Sequence, residues 1–202
     1  MTAGTQTGVE VEDATEPNSE AMLSVIAAAR ECRERLGREK VTMDDVCTAA
    51  GISRATLYRL FPGGRDVLFD AVHSESLNDF FSSLRSEIDG ASSLEDLLVR
   101  IIVGASTALR DDEHLAVALA TEPGAALGDL TFEGLDRIIR SATEFFSPSI
   151  GRFTNAANTA EIMDIMARLV ISYHLSPSRI FDFTERASAG RFVRDHLLPA
   201  IN

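Results

Sequence analysis

Between Thr42 and Pro62 the chain spells two short helices around a single glycine, and this pattern restricts the fold more than any other feature. Thr42 with Asp45 three residues on has the form of a capping box, which opens a helix over Met43–Ala50. Gly51 ends it as the residue able to take a left-handed backbone. Ser53 then caps a second short helix over Arg54–Leu60, which stops at Pro62, Gly63 and Gly64. Two helices so close must cross at a small residue and be pinned by apolar ones. Cys47 fills the first role, and Val46, Ala50, Ile52, Leu57 and Leu60 the second. The pattern is that of a helix–turn–helix.

The free side of the second helix carries Arg54, Ala55, Thr56, Tyr58 and Arg59. Arginine can bond guanine edges bidentately, threonine or alanine can meet a thymine methyl, and tyrosine hydroxyls reach phosphate. A net charge of −12 speaks against nucleic acid at first sight. Its distribution removes the objection. Residues 1–18 hold four acids and no base, residues 19–73 balance eight bases with eight acids, and residues 74–202 set 11 bases against 19 acids. From Val46 to Gly64 there is no acid at all, while Arg54 and Arg59 lie inside and Arg65 follows. A polyanion could dock there without repulsion. With 18 Arg and the single Lys40, the choice of base reflects composition rather than chemistry.

The rest of the chain reads as helical throughout, with about nine helices in all and no sustained strand alternation, so the fold class is all-α. Residues 1–17 are polar and aperiodic and read as a disordered tail. A first helix carries Met22, Val25, Ile26, Ala29 and Leu36 inward and stops at Gly37. One long helix fits Asp66 to Ile88, and Ser92 or Ser93 can cap the next, through Leu109. Shorter pieces span about Asp112 to Thr121 and Leu135 to Phe146, ending before Pro148. The segment Ala156–Leu175 is apolar over a wide arc, and a last helix, capped by Thr184, carries Phe192, Val193 and Leu197. The organisation expected is a tail (1–17), a DNA-binding domain (18–66) and a further helical domain (67–202).

The run from Val41 to Arg65, with Gly51, Leu57, Tyr58 and Phe61 in their places, resembles the signature of tetracycline-repressor-family regulators; the likeness covers about residues 20–73. Two positions depart from that pattern. Cys47 stands where alanine is usual, and Gly63-Gly64-Arg65 replaces a Pro-Ser-Lys type of ending. The resemblance implies a three-helix DNA-binding domain followed by a helical domain with a regulatory role, which dimerises and binds a ligand. It makes Thr42, Ser53, Arg54, Ala55, Thr56, Tyr58, Arg59 and Arg65 the candidate contacts to double-stranded operator DNA, with Arg65 gripping phosphate. Cys47, Gly51, Leu57 and Phe61 would hold the motif's turn and packing.

The family's homodimers form through the last two long helices, which here points to Ile162, Ile165, Met166, Leu169, Tyr173, Phe192 and Val193. The wide apolar arc is what a two-fold four-helix interface would absorb. A pocket for a small apolar or amphipathic effector would draw on Phe80, Phe81, Phe132, Phe145, Phe146, Met163 and Met166. Polar groups able to orient such a ligand include Arg100, His114, Arg137, Arg140, Arg168, Tyr173 and His174. The function expected is a ligand-responsive repressor, with the helix entering near Asp66 as the lever between domains. A helical protein-interaction module without DNA binding is the alternative.

No enzyme, metal or cofactor is expected. His73, His114, His174 and His196 are scattered, and neither a phosphate loop nor a nucleophile elbow occurs. Cys32 and Cys47 are too few for a disulfide framework and sit on inward faces, where a redox role would need an exposed, activated thiolate. No stretch approaches the ~18 apolar residues of a membrane span, and the acidic start is unlike a secretory signal. The expected address is the cytoplasm, with no membrane partner.

Overall fold

The computed structural model describes residues 16–37 and 40–201, so residues 1–15 of the expected tail lie outside it. The described residues contain helices and no strand. They divide into two compact units, Met1–Glu75 and Ser76–Asn202.

The first unit is built from α1 (Glu16–Leu36), α2 (Met43–Ala50), α3 (Arg54–Leu60) and the first half of α4 (Arg65–Ser83). α1 begins two residues inside the expected tail. It presents Val25, Ile26, Ala29 and Cys32 at helical spacing to a core completed by Val41, Val46, Cys47, Leu57, Phe61, Leu68 and Val72. Thr42 caps α2 in a full capping box. Its hydroxyl accepts from the Asp45 N–H (3.2 Å), and the Asp45 carboxylate accepts from the Thr42 N–H (2.9 Å). α2 ends at Gly51, whose φ of 66° and ψ of 29° lie in the left-handed region. The Ile52 N–H then donates back to the Cys47 carbonyl (3.1 Å), which closes the turn. Another left-handed glycine, Gly64 at φ 67°, turns the chain from α3 into α4.

The second unit contains α5 (Arg85–Ile88), α6 (Leu94–Asp111), α7 (Glu113–Thr121), α8 (Pro123–Leu130), α9 (Phe132–Ile150), α10 (Ala156–Leu175), α11 (Arg186–Phe192) and α12 (Leu198–Ile201). A π-helical turn over Val193–Leu197 joins the last two. α6 is the central element: it buries Leu97, Leu98, Ile101, Ile102 and Ala105, and packs on both α10 and α11. α9 lies against α8 and α10.

Several local expectations give way to other chemistry. The span Asp66–Ile88 is not one helix. The Ser83 hydroxyl donates to the Phe80 carbonyl (2.6 Å), and the Leu84 N–H turns to the Phe81 carbonyl (3.1 Å), so the ladder tightens and breaks before α5. α8 was hidden by Pro123, Gly124 and Gly128, although proline at a first helical position is favoured rather than forbidden. α9 runs past Pro148 to Ile150, which is buried. Thr184 does not cap the last helix: its N–H and hydroxyl both donate to the Asp182 carboxylate (2.9 and 2.7 Å), and Glu185 precedes the first turn.

Candidate nucleic-acid interface and ligand cavity

Leu57, Leu60 and Phe61 are buried, and together with Val46 and Cys47 they pin α3 to α2. The opposite face of α3 is thereby turned outward. It exposes Arg54, Ala55, Tyr58 and Arg59, with Ser53 and Thr42 exposed at the neighbouring helix starts and Thr56 half-buried. Tyr58 keeps 49% of its surface open. Gly64 supports it from below, since a Cβ there would stand 3.3 Å from the Tyr58 ring. Sequence reasoning gave Gly64 only the role of a helix stop.

Ser53 is occupied as a cap: its hydroxyl accepts from the Thr56 N–H (3.1 Å) and meets the Thr56 hydroxyl at 3.0 Å. Arg65 opens α4 half-buried, with its guanidinium 4.8 Å from the centre of the Phe69 ring, a cation–π contact. Arg54 is engaged as well. Its guanidinium forms a bidentate pair with Asp44 in the first turn of α2. The pair holds the Asp44 carboxyl below the usual carboxylate range, chiefly through the hydrogen bond. The acid-free window therefore acquires an acid from ten residues upstream. Both side chains are more than half exposed, so a phosphate or base edge can compete for Arg54.

In the second unit, an apolar cavity of about 230 Å³ lies among five helices and the second half of α4. Its wall is made by Leu77, Phe80 and Phe81 from α4, Ile101, Ala105 and Leu109 from α6, and Leu115 and Leu130 from α7 and α8. α9 adds Ile138, Ala142 and Phe146, and α10 adds Met163, Met166, Ala167, Val170 and Ile171. Two polar side chains reach it, Ser76 and Asp112, and Asp112 already accepts from the Leu115 N–H (2.9 Å) as the cap of α7.

Of the expected pocket residues, Phe81 and Met163 border this space, and so do Phe80, Phe146 and Met166. Phe145 does not: it stacks among Phe81 and Phe146, with the Arg85 guanidinium 4.8 Å from its ring centre. Arg100 does not either. It is a brace, donating from Nε to Asp96 (3.1 Å) and from a terminal nitrogen to the Glu87 carbonyl (2.9 Å). The side chain of Phe132 lies outside the described ones.

Among the expected dimer residues, Ile162, Met166 and Val193 are buried in the protomer's own core and offer no surface to a second copy. The wide apolar arc of α10 is filled from within at those positions. Ile165, Leu169, Tyr173 and Phe192 remain half-buried. Both cysteines are buried, and burial pushes the Cys32 thiol up, away from thiolate chemistry. No helix among the described residues is long and apolar enough to cross a membrane.

Comparison with known proteins agrees with this geometry. The model of the tetR family of bacterial regulatory proteins matches residues 25–72. That span holds most of α1, both helices of the motif and the start of α4. An uncharacterised HTH-type transcriptional regulator of Mycobacterium bovis is 26% identical over 98 residues, which are 48% of this chain and 49% of that relative. The match thus spans about half of the curated relative's length. The crystal structure of AlkX, a TetR family repressor from a Dietzia strain implicated in biodegradation of n-alkanes, superposes with a TM-score of 0.60 at 25% identity. It covers 90% of this chain and 97% of that one. A TetR-family transcriptional regulator from Pectobacterium atrosepticum shares the fold at a TM-score of 0.55 and 17% identity, covering 94% and 97%. Residues 25–72 of this chain, with the outward face of α3 among them, thus match the tetR family of bacterial regulatory proteins, and the chain as a whole resembles TetR-family regulators in fold.

Proposed function

We propose that this regulator is a homodimeric repressor that leaves its operator when a small apolar or amphipathic molecule fills the cavity of the second unit. The observation that carries the reading is the cavity wall, whose side chains are apolar apart from Ser76 and Asp112. Such a wall takes an alkyl chain or ring and offers polar anchors for one head group. The likeness to AlkX, a repressor implicated in biodegradation of n-alkanes, supports the same ligand chemistry.

On DNA, each protomer would set α3 in a major groove, with Arg54 and Tyr58 as the principal contacts and Arg65 on phosphate. Two copies would read half-sites about 34 Å apart, one helical turn, or a multiple of it. The ligand would act by binding better to protein whose recognition helices are wrongly spaced, shifting the population away from the DNA-bound form. We place the coupling along α4, which supplies Leu68 and Val72 to the first unit's core and Phe80 and Phe81 to the cavity wall.

The test uses the full chain on a labelled operator fragment, followed by fluorescence anisotropy during titration with 1-decanol. Release of DNA by the alcohol is the expected result. Ala142→Leu, which extends a side chain into the cavity, should keep DNA binding and lose the response. Release of the variant at the same alcohol concentration would refute this use of the cavity.

A further inference from the structure

The second unit contains another cavity, of about 250 Å³, that shares no lining residue with the apolar one. It lies between the last turns of α6 and α10 and the segment that joins α10 to α11. Its character is different. Ser106 and Arg110, one turn apart on α6, share a face with one another, and Tyr173, His174, Phe181 and Asp182 complete the site.

The Ser106 hydroxyl is the telling group. Ser106 is 8% exposed, and its Oγ is buried with no hydrogen-bond partner. A buried hydroxyl left unpaired is costly and rare in a native fold, so it points to a missing partner. None of the hydrogen bonds of the neighbouring acceptors goes to it, and the Asp182 carboxylate, bonded to Thr184 through Oδ1 alone, faces the charge of Arg110. Asp182 takes the N–H and hydroxyl of Thr184, and the Ser178 hydroxyl accepts from the N–H groups of Ile180 (3.0 Å) and Phe181 (3.3 Å). The donors are open to a ligand. Asp111 holds only Nε of Arg110 (3.0 Å), in an exposed pair that a ligand can outcompete. His174 is half-buried, and burial pushes its ring below the usual histidine range despite the opposing charge of Asp112, which leaves a neutral imidazole with one N–H. The apolar wall is aromatic: Tyr173 stacks on Phe183 at 4.1 Å, and Phe181 stands edge-on to Phe192 at 5.2 Å.

Unused donors at one end and ring faces at the other suit one chemical class. We propose that this cavity is a second effector site for a small aromatic carboxylic acid. The carboxylate would lie on the terminal nitrogens of Arg110 and the Ser106 hydroxyl, and the ring against Tyr173 and Phe181. Charge-assisted hydrogen bonds supply the selectivity for the acid over its neutral analogues.

Only two tyrosines occur, Tyr58 and Tyr173, so ring-labelled tyrosine gives two NMR signals, which a Tyr58→Phe sample assigns. Titration of the full chain with benzoate at millimolar concentration should move the Tyr173 signal and leave that of Tyr58 in place. Benzamide, of the same shape without the charge, should move neither. Arg110→Gln and Ser106→Val should each weaken benzoate by about tenfold or more. Arg110 is exposed, so its variant reports on the site without threatening the fold. A still Tyr173 signal, an equal response to benzamide, or undiminished affinity in Arg110→Gln would each overturn the proposal.

Discussion

Replacing Gly51 by alanine separates backbone strain from steric exclusion at the centre of the motif. At φ 66° and ψ 29° the residue sits where an L side chain is disfavoured by roughly 1–2 kcal/mol. A Cβ built at this position meets nothing within 4 Å, so no clash adds to that figure. The new side chain also restricts the unfolded chain, which returns part of the loss, on the order of 0.4–1 kcal/mol. The net destabilisation expected for Gly51→Ala is therefore about 1 kcal/mol, or roughly a fivefold fall in the folded-to-unfolded ratio. Gly51→Asn should cost less than half as much, because asparagine visits the left-handed region more readily. Urea unfolding followed by circular dichroism is the assay, with the midpoint read at unchanged slope. A loss above about 3 kcal/mol would mean that the turn is closed by packing, in the range of core overpacking rather than of backbone strain. No loss at all would mean that Gly51 is not left-handed in solution.

Two further outcomes follow from charges. Asp44→Asn should tighten operator binding by about two- to fivefold at low salt, with the gain shrinking as salt rises, because it frees Arg54 and removes a negative charge near phosphate. A drop in affinity, read by anisotropy, would show instead that the pair poises Arg54 for DNA. Asp96 accepts from Arg100, from Arg186 and from the Ser92 N–H, and these hold its carboxyl below the usual range, the Arg100 hydrogen bond most of all. Its unfolded form thus binds a proton at a higher pH than the folded form. The stabilisation is complete above the ordinary aspartate value of 3.8 and is lost as pH falls through the lower folded value. Thermal melts of Asp96→Asn should show a shallower fall over that acid range than those of the unmodified chain, and parallel curves would refute this role.

The motif was legible in the sequence because its determinants are local. Thr42 with Asp45, Gly51 and Ser53 each act within four residues, and each takes the cap or turn expected of it. Interactions between helices were not legible in the same way. The Arg54 partner stands on a different helix, ten residues back, and only the turn at Gly51 brings the two together. Arg100 offered a charge at an amphipathic position, yet helical spacing cannot say whether such a group meets a ligand or braces a carbonyl; here it braces Glu87. The arc of α10 posed the same problem. Ile162 and Met166 satisfy a stripe that a partner or the protomer's own core could cover, and the core covers them. Breaks were misread where one side chain decides, as with Ser83, or where proline lies at the position that welcomes it, as with Pro123.

The central claim is that α3 reads DNA with the face bearing Arg54 and Tyr58. Selection from a random duplex library by the full chain tests it most directly, run beside an Arg54→Ala/Tyr58→Ala variant with an unchanged circular dichroism spectrum. The unmodified chain should enrich a two-fold-symmetric site with half-sites about 34 Å apart, bound more weakly as salt rises, and the variant should enrich none. Enrichment of the same site by the variant, or of no site by the unmodified chain, would contradict the account.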